Sequence, residues 1–564
     1  MLFEVKNGSL SQGGNEILSH FDFRMVDEEK IGIVGRNGAG KTTLLKLING
    51  ELSLDYNDDN TKGEIVKSKD FNVGYFSQKL AGDDIKKIES GSTGTAKTTA
   101  YTYLLEAFND LIEMEQRIEK LSEELGVDYD EKKATRLNVL IDTFNFNGGY
   151  TYEKELKSGF RKFGFKETDL EKSLDEFSGG QATKISLLKL LLSKPEVLML
   201  DEPTNHLDIE AIEWMEEYLK SYKKNIIVVS HDRMFLDNIC NVIYDIENKI
   251  ATRYVGNYTD FVEQKEINYA LKLAEYNKNL KEIERLTALA DRFRYKATKA
   301  KMVQSKDKVI KNLKSKNVKP LESDMKTFKV KVKPTKTGGK EVLKVEKLCI
   351  GYDKSISEMS FVLNRGDRLA VIGANGTGKS TFIKTIVGAI PKISGEYNFG
   401  HEIQFEYFDQ RIAENDSTKT LFDDFADEFP TYNNTDVRNR LGRFLFGAED
   451  IEKRVCDLSG GEKVRLALAK IFERKPNLLI LDEPTNHLDI LGKESLENII
   501  STFEGTVILV SHDRYFVKKI SNKILYFERE IESSSSFEKY SSKSKAVFFE
   551  YGYDDYEKYL SSRD

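Results

Sequence analysis

Short apolar runs recur along the chain in a fixed order. Runs 31–34, 197–200 and 226–229 lie in the first half, and 369–372, 478–481 and 507–510 in the second. Each is short and continuous, which reads as a buried strand. Helical stretches at 42–48, 182–192, 380–387 and 463–472 each follow a glycine-containing turn. Strands feeding helices through tight glycine turns predict an α/β chain.

Two stretches keep a different rhythm. Leu104, Leu111, Ile118 and Leu125 recur every seven residues and predict a helical arm. Further on, Leu273, Tyr276, Leu280, Ile283, Thr287 and Ala290 alternate three- and four-residue steps, the seam of a coiled-coil helix. Ala300, Val303, Ile310 and Leu313 continue as a second, shorter seam. Together they predict an antiparallel hairpin with its tip near 294–298 and a first helix roughly 45 Å long at 1.5 Å per residue. Pro320, Pro334 and Gly338-Gly339 mark the return of the chain.

A chain of 564 residues exceeds what one core can organise, so two or more domains are expected. A net charge of −7 argues against coating nucleic acid with the whole surface, while leaving room for a local basic element. Cys240, Cys349 and Cys456 stand far apart, which excludes a zinc ribbon or a disulfide framework and fits a reducing cytoplasm. The N-terminus carries no secretory pattern, and no apolar run approaches the roughly 20 residues of a membrane helix.

The chain repeats itself. Gly35-Arg-Asn-Gly-Ala-Gly-Lys41-Thr42 recurs at an offset of 338 as Gly373-Ala-Asn-Gly-Thr-Gly-Lys379-Ser380. Ser178-Gly-Gly, Asp201-Glu-Pro-Thr-Asn-His-Leu-Asp208 and Ser230-His-Asp-Arg233 recur at Ser459, Asp482 and Ser511, all offset by 281. The first copy therefore holds 57 extra residues, most of them after Gln78, whose counterpart is Gln410. The expected layout is a first nucleotide-binding domain over 1–260 with an arm at about 80–175 and a basic hairpin linker over 261–340. A second such domain would cover 341–530, with a short tail over 531–564.

The repeated motifs carry chemistry. GxxxxGK[ST] between a strand and a helix is a phosphate cradle, its amides and helix N-terminus pointing at the anion. Gly35, Asn37, Gly38, Gly40, Thr43 and Gly373, Asn375, Gly376, Gly378, Thr381 belong to the two cradles. Lys41 and Lys379 are placed for the β/γ-phosphates, and Thr42 and Ser380 for Mg²⁺. The near-match Gly91-Ser-Thr-Gly-Thr-Ala96-Lys97-Thr98 has alanine where glycine is needed and no strand before it, so it reads as a plain loop. Asp201 and Asp482 end buried strands, suited to the metal shell, and Glu202 and Glu483 follow as groups able to polarise water. One such pair alone could be a surface acidic turn; two beside two phosphate loops argue for function. His231 and His512 each follow a strand, where a lone histidine is commonly structural. Their duplication, in a chain with six His, points to a γ-phosphate contact. Ser178, Gly179, Gly180 and Ser459, Gly460, Gly461 open helices and suit a further phosphate contact.

Phosphate loop, Gln78/Gln410, Ser-Gly-Gly, Asp-Glu-Pro and the final histidine together resemble the ABC ATPases over both halves. The resemblance implies two ABC-type P-loop NTPase domains packed head to tail as an intramolecular pair in a monomer. Each ATP would then lie between one phosphate loop and the opposite Ser-Gly-Gly: Lys41 with Ser459, Gly460 and Gly461, and Lys379 with Ser178, Gly179 and Gly180. Gln78 and Gln410 join the Mg²⁺ ligands, and Tyr352 takes the place of the adenine-stacking aromatic. The first half offers Gln12 there, which cannot stack as a ring does. The duplicated Asp-Glu-Pro-Thr-Asn-His-Leu-Asp, the arm in the first half only and the linker Arg292-Phe-Arg-Tyr-Lys-Ala-Thr-Lys-Ala-Lys301 resemble the bacterial ABC-F translation factors. That resemblance implies a cytoplasmic protein of the 70S ribosome. Its hairpin would enter the exit site and touch P-site tRNA near the peptidyl-transferase centre, in translation rescue or antibiotic protection.

The linker's charge supports RNA contact. From Arg292 to Lys319 there are eleven bases against Asp307 alone, whereas a merely solvated helix face would mix signs. Arg292, Arg294, Lys296, Lys299 and Lys301 are the candidate RNA contacts. Two rival readings explain less. The energising subunit of a transporter, with separate membrane partners, accounts for neither hairpin nor arm. A DNA-repair or chromosome ATPase is expected to carry zinc cysteines or a very long coiled coil.

Overall fold

The structure is a computed structural model and describes residues 2–57, 61–69, 71–77, 98–127, 130–205, 207–293, 299–316, 333–352, 354–409, 417–485, 488–534 and 537–562. The apolar runs become neighbouring strands. In the first half a six-stranded sheet runs Val73–Phe76, Val197–Asp201, Asn225–Val229, Lys30–Gly35, Val242–Glu247, Ile250–Val255. All neighbours are parallel except the last pair, which is antiparallel. The second half repeats the order with Phe405–Phe408, Leu478–Asp482, Thr506–Val510, Arg368–Gly373, Lys523–Ser534 and Phe537–Phe549.

Both faces of each sheet are covered, which explains the unbroken apolar runs. Along one strand, Val197 and Met199 face a core shared with the three-stranded sheet built around Phe3–Gln12. Leu198 and Leu200 point the other way, into a core with the helices. The second half has the same two cores.

The arm is a pair of helices, Asn109–Val127 and Glu131–Phe146, reached through the short helix Ala100–Leu105. Leu104 of the seven-residue pattern belongs to that short helix and is fully buried, so the arm proper starts later than the pattern implies. Isolated bridges pair Thr99 with Ser173 and Thr420 with Arg454. Each threonine caps a helix, so the two are equivalent points, and 40 of the extra residues fall between Thr99 and Ser173. The near-match loop 91–98 lies almost wholly outside the described residues.

The linker forms one helix of 36 residues, Tyr258–Phe293, about 54 Å long, and a second, Ala300–Lys316. Ile283, Leu286 and Ile310 form their shared core, with Leu313 against it. The seam differs from the sequence reading at Leu286, which is buried one position before Thr287, and at Leu280, which is exposed. The described part of the second helix is less than half as long as the first, so only the distal seam finds a described partner.

The end of the chain departs most from expectation. A boundary at 530 falls inside the strand Lys523–Ser534, and Phe537–Phe549 is the edge strand of the second sheet. The helix Tyr553–Ser561 follows, with Tyr553 and Tyr556 buried as Tyr258 and Phe261 are at the root of the linker. Among the described residues no helix is long and apolar enough to cross a membrane.

Candidate functional site

Both phosphate loops fold as their glycines dictate. Gly38 (φ 80°) and Gly376 (φ 82°) lie in the left-handed region, where a side chain is strained. A Cβ built on either meets nothing within 4 Å, so open space adjoins the cradle. The helices Lys41–Asn49 and Lys379–Ile386 start on Gly40 and Gly378 without a capping side chain, leaving their N-termini to serve an anion. Lys41 Nζ donates to the Gly35 carbonyl at 2.8 Å and the Arg36 carbonyl at 3.1 Å. Lys379 Nζ donates to Gly373 and Ala374 at 2.8 and 2.9 Å. Burial pushes the Lys41 ammonium below its ordinary range, against Glu202, Asp489 and Asp201, which hold the charge.

The Thr42 hydroxyl donates to Asp201 Oδ2 at 2.9 Å, so the two expected metal ligands of the first loop already touch. In the second, Asp482 is buried and its Oδ1 has no hydrogen-bond partner. A hydroxyl and a carboxylate beside phosphate suit Mg²⁺, which takes few protein ligands. No group of three or more His, Cys, Asp or Glu fit to hold a metal alone occurs among the described residues. Gln78 and Gln410 lie outside the described residues.

Glu202 and Glu483 leave their strands in the left-handed region, both at φ 51°. Their amides still donate to the neighbouring strand, at Val229 (2.8 Å) and Val510 (3.0 Å), which holds the strained turn. Burial pushes the Glu202 carboxyl up to about 7, with Lys41 pulling it back, and burial also raises Glu483. His231 Nε2 lies 3.4 Å from Glu202 Oε1 and 3.1 Å from Asn37 Oδ1. His512 Nε2 lies 3.4 Å from Glu483 Oε1. Burial, with Lys41 and Lys379, drives both imidazoles far below their usual range, His512 to about 3. They are therefore neutral, and Nε2 of His231, facing two acceptors, carries the proton. Because the carboxyl is raised, it is protonated and inert below its pKa and ionised above it. The value of kcat/KM for ATP should accordingly fall as pH drops through about 7. A profile flat from pH 8 to pH 6 would contradict this.

Ser178 and Ser459 cap the helices Gly179–Leu192 and Gly460–Glu473 in reciprocal boxes with Gln181 and Glu462. Glutamate thus substitutes for glutamine without loss of the cap. The two halves meet around these elements. A cleft of about 830 Å³ brings Ser459, Gly460 and Gly461 together with Asn37, Glu202 and His231 of the first half. Lys379, Ser380, Thr381, Asn375, Gly376, Gly378, Glu483, His512 and Tyr352 line the same cleft. Gly180 lines a different, small pocket with Phe76 and Pro203, and Lys184 on its helix acts electrostatically on His512. Asp208 Oδ2 of the first half accepts from the Asn375 amide at 3.4 Å, and Asp489 approaches the first loop. Tyr352 is exposed beside the second loop, while Gln12 and Ile17 border the first in a cavity of about 580 Å³.

The sequence reading missed the bonds between halves. Asp232 and Asp513, inside the Ser-His-Asp-Arg repeats, cap short helices. The adjoining Arg233 reaches across to Glu497, and Arg514 to Glu216, in two buried bidentate pairs. Both partners of each pair are related by the 281 offset, the one signal that could have found them. Of the candidate RNA contacts, Arg292 and Lys299 are exposed around the hairpin tip, Arg294 and Lys296 lie outside the described residues, and Lys301 is placed in its helix by backbone alone.

A family model described as "ABC transporter" matches residues 18–205 and 356–486, and another of the same description matches 244–330. YdiF of Bacillus subtilis (strain 168) is 39% identical over 96% of this chain and 81% of its own length. "ABC transporter F family member 2" of Arabidopsis thaliana is 33% identical over 92% of this chain and 76% of its own. "ATP-binding protein Uup" of Escherichia coli (strain K12) is 33% identical over 93% and 80%. Among solved structures, "RNase-L Inhibitor" aligns at TM-score 0.59 and 18% identity, covering 99% of this chain and 93% of that one. An archaeal ribosome recycling factor, solved with the ribosomal stalk protein aP1, aligns at 0.59 and 18% over 99% and 92%. At that identity the two speak for the tandem fold alone.

Proposed function

The chain belongs to the ABC-F family of ABC ATPases, and from that premise we propose that it is a ribosome-binding translation factor whose hairpin acts on P-site tRNA. ATP is its substrate and hydrolysis its reaction. The observation that carries the ribosomal reading is the hairpin itself, a long shaft with a base-rich tip on a protein of net charge −7. Arg292 and Lys299 are exposed at its distal end, and Lys308 and Lys311 follow on the second helix.

In the mechanism, Lys41 and Lys379 turn from the loop carbonyls to the β/γ-phosphates. Thr42 with Asp201, and Ser380 with Asp482, would hold Mg²⁺, which would supply charge neutralisation on the phosphates. Glu202 and Glu483 orient the attacking water, while neutral His231 and His512 donate from Nε2 toward the γ-phosphate. Ser459 to Gly461 complete the first site and Ser178 to Gly180 the second, so bound ATP draws the halves of a monomer together. Closure presents the hairpin to the exit site of the 70S particle near the peptidyl-transferase centre, and hydrolysis releases it. Tyr352 stacks the base in the second site.

Replacing Arg292, Lys299, Lys308 and Lys311 together with glutamate should abolish ATP-dependent co-sedimentation with 70S particles. ATP turnover without ribosomes should stay within about twofold, since none of the four lines the nucleotide sites. Unchanged migration of that variant with ribosomes would refute the role of the hairpin. Migration of the unaltered protein with membranes would favour a transporter subunit. In cells lacking the protein, accumulation of stalled ribosomes marks rescue, and loss of antibiotic tolerance marks ribosome protection.

A further inference from the structure

Most residues named above at the junction of the halves come in pairs related by the 281 offset, but the buried cation Lys493 does not. Lys493 lies on the helix Ile490–Thr502 of the second half, and the equivalent position of the first half is Ile212. The Lys493 side chain is only 10% exposed. Its Nζ donates to the His231 carbonyl at 3.0 Å and pairs with Asp513 Oδ2 at 2.9 Å. It also acts on Glu202 and on the buried Asp232. Burial works against the charge, yet Asp513 and Asp232 outweigh it and hold the ammonium above its ordinary range. A buried ammonium is costly unless paired, so an unduplicated one at this junction is an asymmetry built into the two sites.

We propose that Lys493 is a positioning residue that fixes the backbone of His231 and the carboxylate of Glu202 when the halves close, so that closure arms the first nucleotide site more strongly than the second. The chain of contact is short. Lys493 holds the His231 carbonyl, His231 faces Glu202 through Nε2, and the His231 amide donates to Glu202 Oε2 at 3.3 Å. Across the pseudo-twofold axis the same position is occupied by a hydrocarbon, Ile212, which is buried in the first half's core and can offer no such hydrogen bond. Asp232 and Asp513 each cap a helix that carries an interface arginine, so Lys493 also ties the first site to the elements that join the halves.

The inference rests on the assignment of Glu202 and Glu483 as the groups that orient water, and the test separates the two. Turnover of the full chain is measured with Glu483→Gln, where the first site carries it, and with Glu202→Gln, where the second does. Into each background goes Lys493→Ile, the residue type already accommodated at Ile212, and separately Lys493→Arg. In the Glu483→Gln background Lys493→Ile should lower kcat on the order of tenfold to a hundredfold with KM for ATP little changed, as misplacement of catalytic groups does. In the Glu202→Gln background, where Lys493 reaches only Asp513 beside His512, the loss should be at least about fivefold smaller, an unchanged thermal midpoint certifies the fold, and Lys493→Arg should restore most of the first site's kcat. Equal losses in both backgrounds with an unchanged thermal midpoint overturn the proposal, as does no loss in either. If equal losses come with a lowered midpoint, Lys493→Gln takes its place and is judged by the same contrast. If neither glutamine background alone lowers turnover, the assignment of the carboxylates falls and takes the proposal with it.

Discussion

With Glu202→Gln and Glu483→Gln combined, ATP turnover should fall by about two to four orders of magnitude while ATP binding persists. The amide keeps the size and hydrogen-bonding reach of the carboxyl but removes its basicity. The same change should stabilise the fold at alkaline pH. Glu202 titrates near 7 in the folded protein against an ordinary 4.5, so folding favours its protonated form. That penalty is absent below the ordinary value, grows as pH rises to about 7, and is then constant at up to about 3 kcal/mol. The variant should therefore unfold later than the parent at pH 8, and at about the same denaturant concentration at pH 4. With ATP it should also stay on 70S particles through a sucrose gradient, because the release step is blocked. Turnover within tenfold of the parent would sink the assignment, and trapping that does not depend on ATP would sink the clamp.

The second large effect concerns the arginines that cross between the halves. Arg514→Ala leaves Glu216, whose side chain is 6% exposed, with only the neutral Asn238 amide at 3.0 Å, whereas Arg233→Ala leaves Glu497, at 0%, still paired with Lys519 at 2.9 Å and should cost less. Breaking a buried pair on one side costs about 3–5 kcal/mol, because the remaining charge has lost its partner. Since the pairs exist only when the halves are docked, the cost falls on closure. The ATP concentration for half-maximal closure, followed by intramolecular energy transfer between the halves, should rise by at least about a hundredfold. Arg514→Met with Glu216→Leu should recover most of it, since an apolar pair of similar volume removes the uncompensated charge. A shift smaller than tenfold in the single variant would mean the pair is solvated in the working protein.

Much of the site was legible because its residues answer local backbone demands. Gly38 and Gly376 meet a positive φ, Ser178 and Ser459 cap helices, and the apolar runs fill sheets covered on both faces. Such demands leave their mark within a few positions of the residue. The arginine pairs and Lys493 obey no local rule. Arg233 and Glu497 are 264 positions apart, and on its own helix each reads as an ordinary surface charge until the halves dock. The end of the chain was misread for another reason. Phe537–Phe549 is an edge strand, and its sequence, rich in serine and lysine, lacks the apolar continuity of a central strand.

The root of the linker helix makes the hairpin a lever with an unequal pair of arms. Lys265 binds Asp245 at 2.6 Å and Glu247 at 3.0 Å, and Asp245 lies on the strand that pairs directly with the phosphate-loop strand Lys30–Gly35. Tyr258 and Phe261 anchor the same root in the first core. The short arm is thus seated one strand away from the nucleotide, and the long arm extends about 54 Å. A rotation of about 5° at the root sweeps the far end through roughly 5 Å, close to one helical turn. Stroke at the tip is set by shaft length, and precision by how firmly Lys265 grips its two carboxylates. Lengthening the shaft by one turn would enlarge the stroke by only about a tenth and leave the tip's heading nearly unchanged, whereas adding a single residue would swing the tip by about 100° about the axis, so reach and aim are tuned by different changes in the same helix.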